Sequence, residues 1–423
     1  AIQELQPIQS MHSRHNSGEC VHVPATQDLA LPEAVATRMC RRNVHRKANF
    51  ASSPKAIEMG PSLVSPHLFW KSFGATKRDN EAEEASNAPT IDDSMQLSDF
   101  TNGRFAIDKE QIDWKNFRFL DEGSVSFVYR ATLDNQHVAV KVLRTDSEHE
   151  EDEGSVLSHK CRDFLTELGA VSNLLPHPNI TAFIGAGMTE HAGKTVPMIV
   201  YEYVGGGSAE QLFKRRSREL GQVWKPPSNL SLRWCQQLFT ALDFLHTAET
   251  PMAHRDIKLA NVLISEDLST LKLADFSLAT PITARESRET DWESLPSIAG
   301  SLRYMAPEAS ESGVCHFDKA DIYSAAMTTW ALCNGSKPFS VVSDANTVLH
   351  LVKRHMRPPV REKKLAKILE EAWHPDPLRR PSAAVLARQL EGLLPTQGKQ
   401  SVFRKMLSKV MPSKERVLRC HSV

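Results

Sequence analysis

The chain has 423 residues, of which 41% are hydrophobic and 24% are charged, as in an ordinary globular protein. Its 51 basic and 51 acidic side chains cancel, so no global charge favours nucleic acid, and nucleic acid is not expected as a partner. The 7 cysteines include no C-x-x-C pair, and no apolar run approaches the roughly 18 residues that span a bilayer. These features argue against a disulfide framework or a zinc site, and they predict an intracellular, cytoplasmic protein.

Residues 1–112 lack sustained hydrophobic periodicity and are predicted to be a disordered N-terminal region. Leu31, Val35 and Met39 recur at helical spacing ahead of a basic run, and the segment HLFWKSF at 67–73 groups three aromatic side chains. Each fits either a partner-docking segment or a tail that collapses locally, and we favour the second interpretation.

From residue 113 the pattern is that of strands and then a helix. Alternating runs at 117–133 and 136–144 predict two strands on either side of a turn at Asp134–Asn135. An acidic stretch follows at 145–155, and 196–204 reads as a buried strand leading into Gly205–Gly207. Between them, apolar residues on one face predict a helix: Phe164, Leu168, Val171, Leu174 and Leu175.

Beyond the glycines the periodicity is mainly helical. Two short strands, 261–264 and 271–274, enclose a polar turn. A strand-rich part therefore precedes a helix-rich part, which predicts an α+β, two-lobed fold. The clearest helical stripe consists of Cys235, Leu238, Phe239, Leu242 and Leu245.

The strand-rich part holds candidate ligands for a phosphate. Ala139 and Lys141 share one face of a strand because side chains alternate with a period of two. Gly123 and Ser124 lie at the tip of a strand–turn–strand over 120–128, where backbone N–H groups can cradle phosphate. Glu167, on the predicted helix, is placed to pair with Lys141.

The segment MAHRDIKLANVLI at 252–264 supplies the complementary groups. Asn261 and Asp275 flank the short strand pair, so a hairpin returns them to each other as oxygen ligands for Mg²⁺. Asp256 is then free to accept a hydrogen bond from an incoming alcohol, and Lys258 is placed to neutralise a transferring phosphoryl group. This set of residues predicts phosphoryl transfer.

In order, these motifs resemble a eukaryotic protein kinase over about residues 113–395, with an N-lobe at 113–204 and a C-lobe at 205–395. VAVK ends at Lys141, HRDIKLAN spans 254–261, DFS occupies 275–277 and APE occupies 306–308. Asp321 is expected to brace the catalytic loop, and Arg380 is expected to pair with Glu308. Lys258 and the YMAPE and WHPDPLRRPS segments are similar to the tyrosine-kinase-like group of Ser/Thr kinases, the Raf-like and mixed-lineage-like enzymes.

The resemblance implies an ATP- and Mg²⁺-dependent enzyme acting on protein substrates. Asp256 would be the catalytic base, assisted by Lys258, with Lys141 held on the phosphates by Glu167, and with Asn261 and Asp275 as metal ligands. Tyr201 falls at the gatekeeper position, the residue before the hinge between the lobes. The residues implied in nucleotide binding are Leu120, Gly123, Ser124, Val128, Ala139, Lys141, Glu202, Val204 and Leu263.

Three positions depart from the family pattern. Asp121 and Ser126 replace two glycines of the phosphate loop, and Ser277 replaces the glycine of DFG. A carboxylate at Asp121 weakens ATP binding only if it faces the phosphates, and we expect it to face solvent. Since every polar catalytic group is present, an active enzyme is favoured over a nucleotide-binding pseudokinase that acts as a scaffold.

Regulation is expected to come from the segment before APE. In this type of kinase an arginine at the place of Arg255 pairs with a phosphate on that segment, which implies an upstream activating kinase. The tail 396–423 is basic and carries apolar residues at helical spacing, so it fits docking on an acidic partner or a membrane, or packing on the kinase domain. The last four residues, from Cys420, have only the outline of a prenylation signal. The candidate phosphorylation sites are Thr283, Ser287, Thr290, Ser294, Ser297 and Ser301, with Ser297 and Ser301 best placed.

Overall fold

The computed structural model describes residues 105–123, 125–144, 164–191, 193–282, 301–311 and 316–395. The predictions for residues 1–104, for Ser124, for the candidate sites from Thr283 to Ser297 and for the tail 396–423 lie outside these residues. Among the described residues, no helix is both long and apolar enough to cross a membrane.

The first lobe is a five-stranded antiparallel sheet in the order β1-β2-β3-β5-β4. The strands are β1 (Ile112–Glu122), β2 (Ser126–Leu133), β3 (Gln136–Leu143), β4 (Phe183–His191) and β5 (Lys194–Glu202). Asp134 and Asn135 form the predicted turn between β2 and β3, with φ angles of 48° and 62°. Asp and Asn adopt this left-handed backbone more readily than other non-glycine residues, which explains the tight hairpin at this position.

The predicted helix is present, but it is shorter than its apolar pattern suggested. Helix α1 covers residues 164–172, and Phe164, Leu168 and Val171 are buried in the core. The helix ends before Leu174, so its extension to the two leucines was wrong; Leu174 still packs against the core, whereas Leu175 is 62% exposed. The chain leaves the helix there for the turn that leads into β4.

The second lobe is mainly helical. Its helices are α2 (Ala209–Leu220), α3 (Ser228–Thr247), α4 (Phe317–Asn334), α5 (Ala345–Lys353), α6 (Lys363–Ala372) and α7 (Ala383–Glu391). The predicted stripe on α3 is confirmed, since all five of its residues are buried against the rest of the lobe. Short strands β6 (Met252–Ala253) and β9 (Thr280–Pro281) pair, as do β7 (Val262–Ile264) and β8 (Leu271–Leu273). The fold is therefore α+β with two lobes, as predicted.

The glycine-rich joint between the lobes is required by a close backbone approach. Strand β5 ends at Glu202, two residues earlier than predicted, and Gly205–Gly207 follow. A side chain on Gly206 would place its Cβ 2.2 Å from the carbonyl oxygen of Ile264. Because no Cβ fits there, glycine lets the joint pass directly over β7. Helix α2 then begins at a capping box formed by Ser208 and Gln211.

Candidate active site

The loop from His254 to Asn261 is held by a single buried carboxylate. Asp321, on α4 and 1% exposed, accepts hydrogen bonds from the backbone N–H groups of His254 at 2.7 Å and Arg255 at 2.8 Å. The ring of His246 lies 3.1 Å from the same carboxylate. Arg255 has a φ of 66°, a conformation that costs free energy outside glycine. The bonds from Asp321 therefore fix a loop shape that the sequence alone disfavours.

Asp256 lies at the centre of a polar cluster. Its Oδ2 accepts hydrogen bonds from Lys258 Nζ at 2.7 Å and from the Asn261 side-chain nitrogen at 2.8 Å. Its Oδ1 accepts from the Ser301 hydroxyl at 2.8 Å, and that hydroxyl also receives a hydrogen bond from Lys258 at 3.0 Å. The three polar residues of the loop from His254 to Asn261 thus meet, and they are joined by a serine 40 or more residues further along the chain.

A second cluster joins the two lobes. Lys141 Nζ lies 2.5 Å from Glu167 Oε2 on α1 and 2.9 Å from Asp275 Oδ1. The Tyr201 hydroxyl donates to Glu167 Oε1 at 2.7 Å, so both oxygens of this carboxylate are engaged. Glu167 is 1% exposed and Lys141 is 8% exposed. Because charged groups are buried at this site, each needs the partners that it has.

These contacts shift the proton affinities of the groups. Burial opposes the charge on Lys141, but Asp275 and Glu167 outweigh it and hold the pKa of Lys141 above its usual range. Burial raises the pKa of Glu167, against the opposing effect of Lys141. Burial next to Glu167 also raises the pKa of Tyr201, so its hydroxyl stays protonated and can donate.

Asp275 follows the β7–β8 hairpin and remains ionised. The register pairs Val262 with Leu273, and the N–H of Ala274 donates to the carbonyl oxygen of Asn261 at 2.9 Å, which returns Asp275 to the end of the catalytic loop. Desolvation by the surrounding protein opposes its charge, although 36% of the side-chain surface is exposed in the cleft. Lys141 overcomes that effect and keeps the pKa of Asp275 well below its usual range.

Ser277, at the glycine position of DFG, fits this conformation. Its hydroxyl contributes to the lowered pKa of the neighbouring Asp275 carboxylate. Ser277 is absent from the described residues with a positive φ, whereas Asp275 has a φ of 67°. The serine therefore causes no backbone strain here, and it adds a polar group beside Asp275 that a glycine lacks.

Four of the predicted nucleotide-binding residues lie on the strands around the cleft: Leu120, Val128, Ala139 and Leu263. Val128 pairs with Lys141 across β2 and β3, Ala139 pairs with Tyr201 across β3 and β5, and Leu263 lies on β7. Val128, Ala139, Leu263 and Leu120 are all partly exposed, which leaves apolar surface for a flat ring.

Three other predicted nucleotide-binding residues are Gly123 in the phosphate loop and Glu202 and Val204 at the joint between the lobes. A Cβ built on Gly123 would meet only Ser126, at 3.5 Å, so the loop has open space around it. Val204 is buried. The Glu202 side chain accepts through Oε1 from the Ala182 N–H at 2.8 Å and from Lys272 at 2.6 Å, and the Glu202 N–H donates to the Ala182 carbonyl oxygen at 3.0 Å.

Asp121 lies near the start of the phosphate loop. It is exposed, and its carboxylate accepts hydrogen bonds from its neighbour's N–H at 2.9 Å and from Gln211 Nε2 at 3.3 Å. Gln211 lies on α2 in the second lobe. The expected solvent exposure is therefore observed, and the carboxylate also contacts the helical lobe.

The APE motif is anchored by a buried ion pair. Arg380 contacts Glu308 through both terminal nitrogens, at 2.5 and 3.0 Å, and the Arg380 side chain is 0% exposed. Arg380 also donates to the carbonyl oxygens of Lys319 and His374, both at 2.8 Å. These bonds compensate the desolvation of the buried guanidinium, and the Arg380–Glu308 pair is the one that the sequence motifs predicted.

Two contacts in the site were not anticipated. The sequence indicated Ser301 as a candidate for phosphorylation, yet its hydroxyl bonds to Asp256 and Lys258. It indicated Tyr201 as a gatekeeper, but not as the partner of Glu167. A phosphate on Ser301 would place a dianion against the Asp256 carboxylate, which argues against Ser301 as the regulatory site. The only signal for its role was a hydroxyl residue seven positions before Glu308.

The fold consists of a strand-rich lobe and a helical lobe. A Lys–Glu pair lies on one side of the cleft and a clustered Asp–Lys–Asn set lies on the other, which is the arrangement typical of protein kinases. A family model described as the protein kinase domain matches residues 114–390. The chain belongs to the protein kinase family.

Curated relatives agree with this assignment. The chain is 28% identical over 348 residues to seven transmembrane domain-containing tyrosine-protein kinase 1 of Dictyostelium discoideum, which covers 80% of this chain and 45% of the relative. It is 29% identical to mitogen-activated protein kinase kinase kinase 10 of Mus musculus, over 64% of this chain and 27% of the relative. It is 28% identical to serine/threonine-protein kinase CTR1 of Arabidopsis thaliana, over 80% and 39%. The chain thus spans less than half the length of these three relatives, and the resemblance to the tyrosine-kinase-like group is confirmed.

Proposed function

We propose that this protein is an active kinase that transfers the γ-phosphoryl group of ATP to serine and threonine hydroxyls of protein substrates. The observation that carries the proposal is that both halves of the site are assembled together. Lys141 contacts Glu167 and Asp275, while Asp256 contacts Lys258, Asn261 and Ser301. A kinase is competent for transfer when these two clusters face one cleft.

ATP fits the chemistry of the cleft. The adenine would pack on the apolar surface of Val128, Ala139 and Leu263, and backbone groups at Glu202 and Val204 would hydrogen bond its edge. Lys141 would contact the phosphates, and its raised pKa keeps it charged for this role. The open loop at Gly123 leaves room for the phosphates to approach the backbone.

Magnesium would be held by Asn261 and Asp275. The Asn261 side-chain nitrogen donates to both the backbone and the side chain of Asp256, at 2.8 Å each, which leaves the amide oxygen for a ligand. Asp275 supplies an ionised carboxylate oxygen. Hard oxygen donors of this kind suit Mg²⁺, which when bound neutralises charge on the phosphates.

In transfer, the substrate hydroxyl oxygen forms a bond to the γ-phosphorus while the bond to the β–γ bridging oxygen breaks, and ADP leaves. Asp256 orients the hydroxyl and accepts its proton. Lys258, 2.7 Å from that carboxylate, stabilises the negative charge on the moving phosphoryl group. Asp321 acts indirectly, by holding the loop that carries Asp256.

Specificity for serine and threonine is supported by Lys258, which lies beside the catalytic carboxylate of Asp256. Lys258, whose Nζ lies 2.7 Å from Asp256, occupies the position in HRDIKLAN where a lysine is typical of serine/threonine kinases. A Ser or Thr hydroxyl stands one bond from Cβ, whereas a tyrosine hydroxyl lies beyond a ring and needs a deeper channel. One relative is named as a tyrosine kinase, so the modified amino acid has to be measured.

Activation by an upstream kinase is part of the proposal. Arg255 lies with its guanidinium 4.7 Å from the centre of the Phe317 ring, directly before Asp256. A phosphate on the segment between Thr283 and Ser297 would offer that guanidinium a stronger, charge-assisted contact. Alanine substitution at each of the five sites from Thr283 to Ser297, with phosphosite mapping, tests this: unchanged turnover in all five would refute it.

A pseudokinase scaffold is the second candidate, and Ser277 is the observation that favours it. Ser277 replaces the glycine that lets the DFG segment change conformation, so it stiffens the segment that carries Asp275, the expected metal ligand. The test is transfer of labelled phosphate from Mg²⁺–ATP to a generic protein substrate by wild type, Asp256→Asn and Ser277→Gly. Asp243→Asn, an acid on α3 away from the site, is the matched control.

Label from all variants except Asp256→Asn supports the active kinase. Label from Ser277→Gly alone shows that the serine holds the enzyme inactive. If none of the proteins transfers label but nucleotide binding is intact, the scaffold is the better description.

A further inference from the structure

The first lobe carries an aromatic surface that the catalytic account does not use. We call it the aromatic patch, and it consists of Trp114, Phe117, Phe119, Phe127, Tyr129 and His191. The rings of Phe117 and Phe119 each lie edge-on to Tyr129, with centroids 5.9 Å apart. The Tyr129 hydroxyl hydrogen bonds to the ring of His191 at 3.1 Å, so the patch joins β1, β2 and β4.

Two of these rings are only half covered. Phe117 and Phe119 are each 50% exposed, although both are large and apolar. They stand two residues apart on β1, so they project from the same face of the strand, and β1 is an edge of the sheet. Adjacent half-exposed aromatic rings on an edge strand are typical of a surface that binds something apolar.

The chain enters the domain beside this patch. Residues 105–107 run along β4, with the Ile107 N–H donating to Ala186 at 2.8 Å. Gly185 and Gly187 permit this, because a Cβ at either position would fall 2.4 Å or less from the entering backbone. Lys109 then bonds to Glu190 at 2.8 Å, one residue before His191 of the patch. The entering chain thus passes the patch at Lys109, and the segment upstream of residue 105 departs near Phe183, whose ring lies 5.3 Å from that of Phe105.

That upstream segment contains an aromatic cluster of its own. Phe69, Trp70 and Phe73 lie within HLFWKSF at 67–73. About 30 residues separate Phe73 from Phe105, and a stretch of this length is long enough to reach any point of the lobe, since each residue spans up to about 3.3 Å. A tether of that kind gives an effective concentration of about a millimolar, so even weak aromatic contacts suffice for binding.

We propose that the aromatic patch binds segment 67–73 of the same chain. The rings of Phe69, Trp70 and Phe73 cover Phe117 and Phe119 through edge-to-face contacts of the kind that the patch already makes internally. Because β1 leads directly into the phosphate loop at Gly123, this contact connects the N-terminal region to the strand that carries that loop. The proposal is independent of phosphoryl transfer.

The test is hydrogen–deuterium exchange of the full chain. In the triple variant Phe69→Ala/Trp70→Ala/Phe73→Ala, amides of β1 and β2 should exchange severalfold faster than in wild type. Phe50→Ala, an aromatic truncation outside the segment, is the matched control and should leave exchange unchanged. In the reverse experiment, Phe117→Ala/Phe119→Ala should raise exchange across 67–73 while the amides of α3 keep their protection, which shows that the fold is intact.

Each outcome decides the proposal. Faster exchange in both experiments at all protein concentrations supports docking within one chain. Equal exchange in the triple variant and wild type overturns it. If the wild type loses this protection on dilution and light scattering shows a dimer, the proposal is also overturned, because the patch would then bind a second copy of the chain.

Discussion

The hydroxyl of Tyr201 is predicted to hold the catalytic Lys–Glu pair in place. Tyr201→Phe removes only this oxygen and keeps the ring, which packs against Phe183 at 6.3 Å. Glu167 Oε1 then loses the donor that lies at 2.7 Å, inside a site where Glu167 is 1% exposed. A buried acceptor without its partner costs about 1–3 kcal/mol, and a value near 2 kcal/mol corresponds to roughly a 30-fold loss.

The loss should fall on turnover. If Glu167 turns away to recover a partner, Lys141 keeps Asp275 but loses its other carboxylate, and the paired state becomes a minor population. We expect kcat for peptide phosphorylation to fall about 10- to 50-fold with a smaller change in the KM for ATP. Steady-state kinetics at varied ATP measure both quantities.

Tyr203→Phe is the control for this change. Tyr203 lies two residues further along, and its ring faces Arg130 at 5.9 Å and His137 at 5.9 Å, contacts that phenylalanine retains. Equal kinetics for the two variants would refute the role of the Tyr201 hydroxyl, provided that both unfold at the wild-type temperature.

Three further predictions follow from other contacts. Ser301→Ala should raise the KM for a Ser/Thr peptide and lower kcat, because the Asp256–Ser301 bond of 2.8 Å is lost. Ser301→Thr keeps a hydroxyl and should retain activity. If Ser301→Thr is as impaired as Ser301→Ala in both kinetic constants, the role of this contact is refuted. Arg380→Leu should lower the free energy of unfolding by about 3–5 kcal/mol, since it leaves Glu308 unpaired, and exposed Arg379→Leu should change it little in the same urea titration. The folded state lowers the pKa of Asp275 from its usual value of 3.8. The ionised Asp275 carboxylate therefore stabilises the fold above about pH 4, and this contribution is lost as the pH falls further. Between pH 6 and pH 3, the midpoint of urea unfolding should fall less steeply for Asp275→Asn than for wild type.

Much of the fold and of the candidate site was predictable because the signals are local. The hairpin at Asp134–Asn135 follows from residues that tolerate a positive φ, and the buried face of α3 follows from its period. The meeting of Asn261 and Asp275 follows from two short strands and the turn between them.

The rest depends on contacts between distant residues. Tyr201 meets Glu167 across 34 residues, and Ser301 meets Asp256 across 45, and neither pair has a periodic pattern that would reveal it. The end of α1 before Leu174 was missed because the apolar pattern continues past the point where the chain turns towards β4. In each case tertiary packing, rather than local preference, decides the outcome.

The most direct test of the central claim is to identify the amino acid that this protein phosphorylates. Wild type and Asp256→Asn are incubated with labelled Mg²⁺–ATP and a protein that offers serine, threonine and tyrosine, and the labelled residue is determined after acid hydrolysis. We predict phosphoserine and phosphothreonine from the wild type and a loss of at least a hundredfold in Asp256→Asn. Phosphotyrosine as the main product, or equal transfer by the two proteins, would rule out a serine/threonine kinase that uses Asp256.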